Sequence, residues 1–267
     1  MILRRRPPRL KGLPLQYLLP NLITVLALCS GLTAVRFALL DQWPAAVAAI
    51  MVAGILDGLD GRIARLMGGG SKFGAELDSL SDFVSFGAAP ALIMYMWSTY
   101  GLGGFGWAAS MFVAVCCALR LARFNTMIDS DKPAFAYNYF TGVPAPAGGG
   151  LALLPMMISF EWPDGPFQDS LVTSLWLVTV GLLMVSRLPT FAFKKVKIPH
   201  SYVLPVLVGA GILAAALFSA PWMTLMIIGI VYIASFPVSY LSFRRLTVEA
   251  ARITGTPAAE ETPPPPA

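Results

Sequence analysis

Between residues 57 and 82 the chain reads DGLDGRIARLMGGGSKFGAELDSLSD, and this stretch restricts the possible folds more than any other. It sets four carboxylates, Asp57, Asp60, Asp78 and Asp82, into two otherwise strongly apolar segments. Asp57 and Asp60 are three residues apart and Asp78 and Asp82 four apart, so on helices each pair shares one face. The glycine-rich GGGSKFG between them ends one helix and starts another. With the two helices folded back on each other, Asp60 lies roughly 10 Å from the turn at Met67, and Asp78 roughly 8 Å beyond Phe73. The two pairs therefore meet at one level. Four carboxylates at one level in an apolar setting repel one another and cannot all stay ionised without cations. An all-oxygen donor set with no Cys or His suits Mg²⁺ or Mn²⁺ rather than zinc. Helix capping, or pairing with Arg62 and Arg65, accounts for one or two of the aspartates. It does not account for four at matched depth, where each acid costs about 2.5–3.5 kcal/mol near a bilayer centre.

The setting is membrane-grade throughout. The 267 residues are 57% hydrophobic and 12% charged, with mean hydropathy +0.70, about half the charge of an ordinary soluble domain. The sequence predicts an all-α polytopic membrane protein with about eight transmembrane helices, near 19–40, 43–67, 71–100, 103–125, 143–160, 169–187, 201–219 and 221–243. A basic, proline-rich arm (1–18) precedes the transmembrane catalytic domain (19–245), and a low-complexity, disordered tail (246–267) follows it. Eight spans put both termini on one side. With that side inside, every Lys and Arg except Arg36 falls at the cytoplasmic face, and the four outer loops carry none. The net charge of +5 thus reads as membrane topology, not as a nucleic-acid footprint. The basic loop Lys194, Lys195 and Lys197 suits anionic lipid headgroups. Cys29, Cys116 and Cys117 all fall in apolar segments, as buried thiols do.

The aspartate spacing matches a longer pattern, D-x-x-D-G-x-x-A-R, eight residues, then G-x-x-x-D-x-x-x-D. Here it is filled by Asp57, Asp60, Gly61, Ala64, Arg65, Gly74, Asp78 and Asp82. In this it resembles the CDP-alcohol phosphotransferase family of integral membrane enzymes. The resemblance implies transfer of a phosphoalcohol group from a CDP-linked substrate to a hydroxyl acceptor, with release of CMP. It implies metal binding by Asp57, Asp60 and Asp78, and a general base in Asp82 that can also touch a second metal ion. It further implies a CDP-diacylglycerol site shaped by Asp57, Gly61, Ala64, Arg65 and Gly74. The physics of the reaction agrees: a pyrophosphate calls for divalent cations, two ions can clamp attacking and leaving oxygens, and a carboxylate can take the acceptor's proton. Small residues at Gly61 and Ala64 let a nucleotide lie against the helix; they also serve close helix packing.

Three other stretches narrow the likeness: LPNLITVLALCSGLTAV (19–35), LRLARFN (119–125) and FTGVPAPAGGG (140–150). Together they resemble the bacterial membrane-type phosphatidylserine synthases, with Val143 and Gly148–Gly149 departing mildly from the usual residues. The substrates so implied are CDP-diacylglycerol and L-serine, and the assembly a homodimer in the inner membrane. Arg120, Arg123 and Asn125 lie at a cytoplasmic helix end, where Arg suits bidentate recognition of a serine carboxylate or a phosphate; anchoring to lipid headgroups is the alternative. Lys72 is a weaker phosphate candidate. Other acceptors, such as glycerol 3-phosphate or inositol phosphate, and CDP-choline as donor, remain open at this level. Acidic residues gathered at one face argue against a cation transporter. A single histidine, His200, rules out a route that needs two histidines, such as a phospholipase D-like phosphohistidine mechanism.

Overall fold

A computed structural model describes residues 15–66, 71–126, 139–191, 199 and 202–254. The helices are α1 (Leu15–Leu39), α2 (Trp43–Leu66), α3 (Lys72–Asp82), α4 (Ala89–Trp97), α5 (Gly104–Thr126), α6 (Ala145–Ala152), α7 (Leu154–Glu161), α8 (Ser170–Val185), α9 (Val203–Ser219) and α10 (Pro221–Thr254). Among the described residues five helical stretches are long and apolar enough to cross a membrane: Leu18–Leu39, Trp43–Leu66, Lys72–Trp97, Gly104–Thr126 and Pro221–Thr247. Ser170–Val185 and Val203–Ser219 are shorter apolar helices. The protein is an all-α membrane protein, and among the described residues the five long apolar stretches correspond to five of the eight expected spans.

The expected span 143–160 is the one that breaks. Pro155 has no N–H to give the carbonyl of Leu151, so the chain divides at Leu153 into α6 and α7. The freed Leu151 carbonyl accepts instead from Trp176 Nε1 of α8 at 2.8 Å, so a polar group is not left bare in an apolar layer. Helix α1 begins at Leu15, before the expected start at 19, and carries Pro20 inside it. At the other end α10 runs to Thr254, past the expected limit at 243.

The α1–α2 pair forms the most extensive helix contact and sets the position of α3. Along α1 the buried positions are Thr24, Ala27, Gly31, Ala34 and Ala38, a small-residue stripe at spacings of three and four. Against it α2 buries Ala46, Ala49 and Ala53, and Ser30 Oγ donates to the Ala49 carbonyl at 2.8 Å. Such residues let two backbones approach closely. Beyond Asp82, residues Phe83–Ala88 form a π-helical stretch that continues into α4. It presses on α1: a Cβ on Gly31 would lie 2.5 Å from Ser85 Oγ and 2.8 Å from Ser85 Cα. Ser81 Oγ donates to the Thr24 carbonyl (3.2 Å) and Ser85 Oγ to that of Ala27 (3.3 Å), so α3 and its extension hang on α1 by two rungs. On the opposite side α6 meets the same π-helical stretch, and a Cβ on Gly149 would sit 3.0 Å from Phe86 Cα.

Two three-residue strands, absent from the sequence-based expectation, pair antiparallel: β1 (Tyr139–Thr141) and β2 (Pro189–Phe191), with Phe140 opposite Thr190. They lie against α10. Ser239 Oγ donates to the Pro189 carbonyl at 2.7 Å, and the hydroxyls of Tyr139 and Ser242 meet at 2.9 Å.

Candidate active site

Helix α3 is phased by its first turn. Ser71 is its N-cap, with Oγ accepting from the Gly74 N–H at 2.9 Å. From there Asp78 and Asp82 fall on the face turned to α2. One carboxylate oxygen from each of Asp57, Asp60 and Asp78 lies within 4.8 Å of the others, so three of the four predicted carboxylates converge. Asp82 stands beside this triad rather than in it, its carboxyl sharing a hydrogen bond with Asp57. Asp60 is the most enclosed, 4% exposed. Three convergent hard-oxygen donors fit a divalent cation such as Mg²⁺ or Mn²⁺; nothing in the donor set favours a softer metal.

Sequence reasoning missed Thr24. Its hydroxyl lies 2.7 Å from Asp60 Oδ2 and 3.1 Å from the Pro20 carbonyl, so its one proton can orient Asp60. By pattern alone it is indistinguishable from Thr33, whose hydroxyl turns back to the Cys29 carbonyl. Only the tertiary packing of α1 on α2 separates the two.

Beside the triad opens a cleft of about 120 Å³, lined by Pro20, Asn21 and Thr24 of α1, Asp60, Gly61 and Ala64 of α2, and Gly74, Ala75 and Asp78 of α3. The predicted small residues thus gather around one space. They serve it differently. A Cβ on Gly61 would meet nothing within 4 Å, so this glycine is not used for helix packing and its missing side chain adds to the open cleft. A Cβ on Gly74 would lie 2.7 Å from Asn21 Oδ1 and 3.2 Å from Ser71 Oγ, so Gly74 lets α3 seat against α1. Arg65 is exposed at the end of α2, outside the cleft lining. Lys72 is exposed in the first turn of α3.

The predicted anion-binding group divides. Arg120 reaches inward, next to Asp82, Cys117 and Tyr232. Arg123 and Asn125 turn to the protein: Arg123 makes a long 3.5 Å contact to the Val185 carbonyl, and Asn125 Nδ2 donates to Ser79 Oγ at 3.0 Å. Those two side chains tie the end of α5 to α8 and α3. Lys194, Lys195, Lys197 and His200 lie outside the described residues.

Residues 17–180 match the model of the CDP-alcohol phosphatidyltransferase family, and residues 201–237 match that of CDP-alcohol phosphatidyltransferase 2. A protein of Mycobacterium tuberculosis named CDP-diacylglycerol–serine O-phosphatidyltransferase is 39% identical over 90% of this chain and 84% of its own length. Proteins of the same name from Helicobacter pylori strain J99 and Bacillus subtilis are 40% and 30% identical. They cover 68% and 66% of this chain and 75% and 92% of their own lengths.

Proposed function

The chain belongs to the CDP-alcohol phosphatidyltransferase family, and we propose that it transfers the phosphatidyl group of CDP-diacylglycerol to the hydroxyl of L-serine, releasing CMP. The observation that carries this reading is the convergence of the Asp57–Asp60–Asp78 triad, with Asp82 alongside it, beside a cleft that Asp60 and Asp78 line together with Gly61, Ala64 and Gly74. The relatives named for transfer to serine supply the acceptor.

The serine oxygen forms a bond to the phosphorus that carries diacylglycerol. The pyrophosphate P–O bond to that phosphorus breaks, and CMP departs with the bridging oxygen. Asp82 accepts the hydroxyl proton. Asp57, Asp60 and Asp78 are the residues to hold Mg²⁺ or Mn²⁺, with Asp82 able to join a second ion; bound there, the cations neutralise the pyrophosphate. Thr24 fixes the orientation of Asp60. The cleft is too small for a whole liponucleotide, so it takes part of the nucleotide, and Arg65 lies at the exposed end of α2 for the remainder. Arg120 is placed for an acceptor anion. Arg123 and Asn125 support that end of the site through their protein contacts. The side that bears the aspartates also bears the basic residues, which supports a cytoplasmic site in the inner membrane. The family likeness adds a homodimer, readable by light scattering of the detergent-solubilised protein.

The test is CMP release by purified protein with CDP-diacylglycerol and Mn²⁺ or Mg²⁺, offered serine, glycerol 3-phosphate, inositol phosphate or buffer. Release only with serine is expected. Release only with a phosphorylated acceptor would keep the reaction and replace the substrate.

Two variants probe the supporting residues. Thr24→Val should raise the metal concentration for half-maximal activity about tenfold, since outer-shell partners commonly matter by that factor; an unchanged metal titration would sever Thr24 from the metal site. Gly61→Leu fills open space, so its thermal midpoint should stay near wild type while the KM for CDP-diacylglycerol rises at least tenfold. A variant that unfolds early with normal KM would mean that Gly61 serves packing after all.

A further inference from the structure

Among the described residues three buried side-chain atoms have no hydrogen-bond partner, and two of them, Arg120 Nε and the Tyr232 hydroxyl, belong to neighbouring residues. Native structures rarely leave buried donors unpaired, so such atoms mark the place of a missing partner. The protein groups nearby do not fill that role. The Thr190 hydroxyl lies beside Tyr232 but outside hydrogen-bonding geometry with it, and is tied to the Gly142 carbonyl at 2.9 Å. The Asp82 carboxyl faces Arg120 and is engaged with Asp57.

Tyr232 is held in this position from several sides. Its ring packs edge-on against Phe236, with centroids 5.1 Å apart. Further along α10, Ser239 and Ser242 fasten the helix to β2 and β1. The residue lies outside the 17–180 match and inside the 201–237 match, so the second matched segment brings a polar group to a site otherwise built from the first.

Two donors, one of them cationic, call for an oxyanion between them. Position separates the candidates. The cleft for the nucleotide is bordered by Asp60 and Asp78, whereas Arg120 stands next to Asp82, the residue that meets the acceptor hydroxyl, with Tyr232 next to Arg120. We propose that Tyr232 is a specificity-determining residue, its hydroxyl binding the carboxylate of the acceptor amino acid together with Arg120 Nε. This assignment rests on the serine-transfer reading above.

The experiment compares wild type with Tyr232→Phe, which keeps the ring and its packing and removes only the donor. CMP release is measured across L-serine and CDP-diacylglycerol concentrations, with thermal unfolding as a check on folding. A hydrogen bond to a charged group predicts a KM for L-serine raised about tenfold or more. The KM for CDP-diacylglycerol should hold, kcat should change less than KM, and any slow turnover of 2-aminoethanol, which lacks the carboxylate, should be unaffected. A purely structural tyrosine would shift both KM values and the unfolding midpoint together. That pattern, or an unchanged KM for serine, overturns the assignment while leaving serine transfer intact. A wild-type protein that releases no CMP with serine overturns the activity reading, and this assignment with it.

Discussion

Asp82→Asn should lower serine-dependent CMP release by roughly 10²–10⁴-fold, the usual contribution of a positioned general base, with the KM for CDP-diacylglycerol and the metal requirement close to wild type. The reason lies in where Asp82 stands. It is outside the group of Asp57, Asp60 and Asp78 oxygens that come within 4.8 Å of one another, and it meets Asp57 through a hydrogen bond. An asparagine preserves size and can still donate to Asp57, but it has no carboxylate to take the serine proton. The metal titration decides between two roles for this residue. A half-saturating concentration that rises tenfold alongside the lost rate would make Asp82 chiefly a ligand. Activity within a few-fold of wild type would remove it from the chemistry.

The parts of this site that sequence reveals are those encoded locally. Asp57 to Asp82 is one continuous stretch, so helical periodicity and the length from the glycine turn suffice to bring Asp57, Asp60 and Asp78 to one level. Gly61, Ala64 and Gly74 come with the same stretch, although their separate uses do not: open space at Gly61 and tight seating at Gly74 differ only in what α1 places opposite them. Thr24 and Tyr232 were not legible because each depends on a contact between distant segments, 36 residues apart for Thr24 and Asp60. The same limit hid the strands. Tyr139–Thr141 and Pro189–Phe191 are three residues each and exist because two loops meet across α10. Arg123 and Asn125 show contacts that sequence does not carry. Charge and position recommend them for a ligand, and the packing of α5 adds a contact from Arg123 to the Val185 carbonyl and from Asn125 to Ser79.

The broken helix α6–α7 shows how hydropathy can hide a discontinuity. Residues 143–160 read as one apolar span, and Pro155 alone signals the break. What makes the break tolerable is Trp176, which supplies the missing donor to Leu151 from a helix that sequence places in a different span. The consequence reaches the site: α6 is a short separate unit that can lie against Phe86, and the π-helical stretch it touches begins at the residue after Asp82. Position of the proposed base thus depends on packing from both α1 and α6, not on the aspartate motif alone.

The triad itself makes the second large prediction, and its sign distinguishes a metal site from a structural cluster. In wild type, adding Mn²⁺ or Mg²⁺ to the metal-free protein should raise the thermal midpoint, because a ligand that binds only the folded state stabilises it, by about 2.7 kcal/mol at a hundred times its Kd. Asp78→Asn should abolish that rise and reduce CMP release by at least a hundredfold. Without metal the same variant should unfold at or above the wild-type midpoint, since it removes one of three carboxylates held within 4.8 Å of one another and relieves their mutual repulsion. A function-destroying substitution that does not destabilise the metal-free fold is what a site built to hold a cation predicts. If Asp78 instead served to join α2 and α3, its replacement would lower the metal-free midpoint, and added metal would leave wild type unmoved. Differential scanning fluorimetry with and without chelator, run beside the CMP assay on wild type and Asp78→Asn, separates these outcomes.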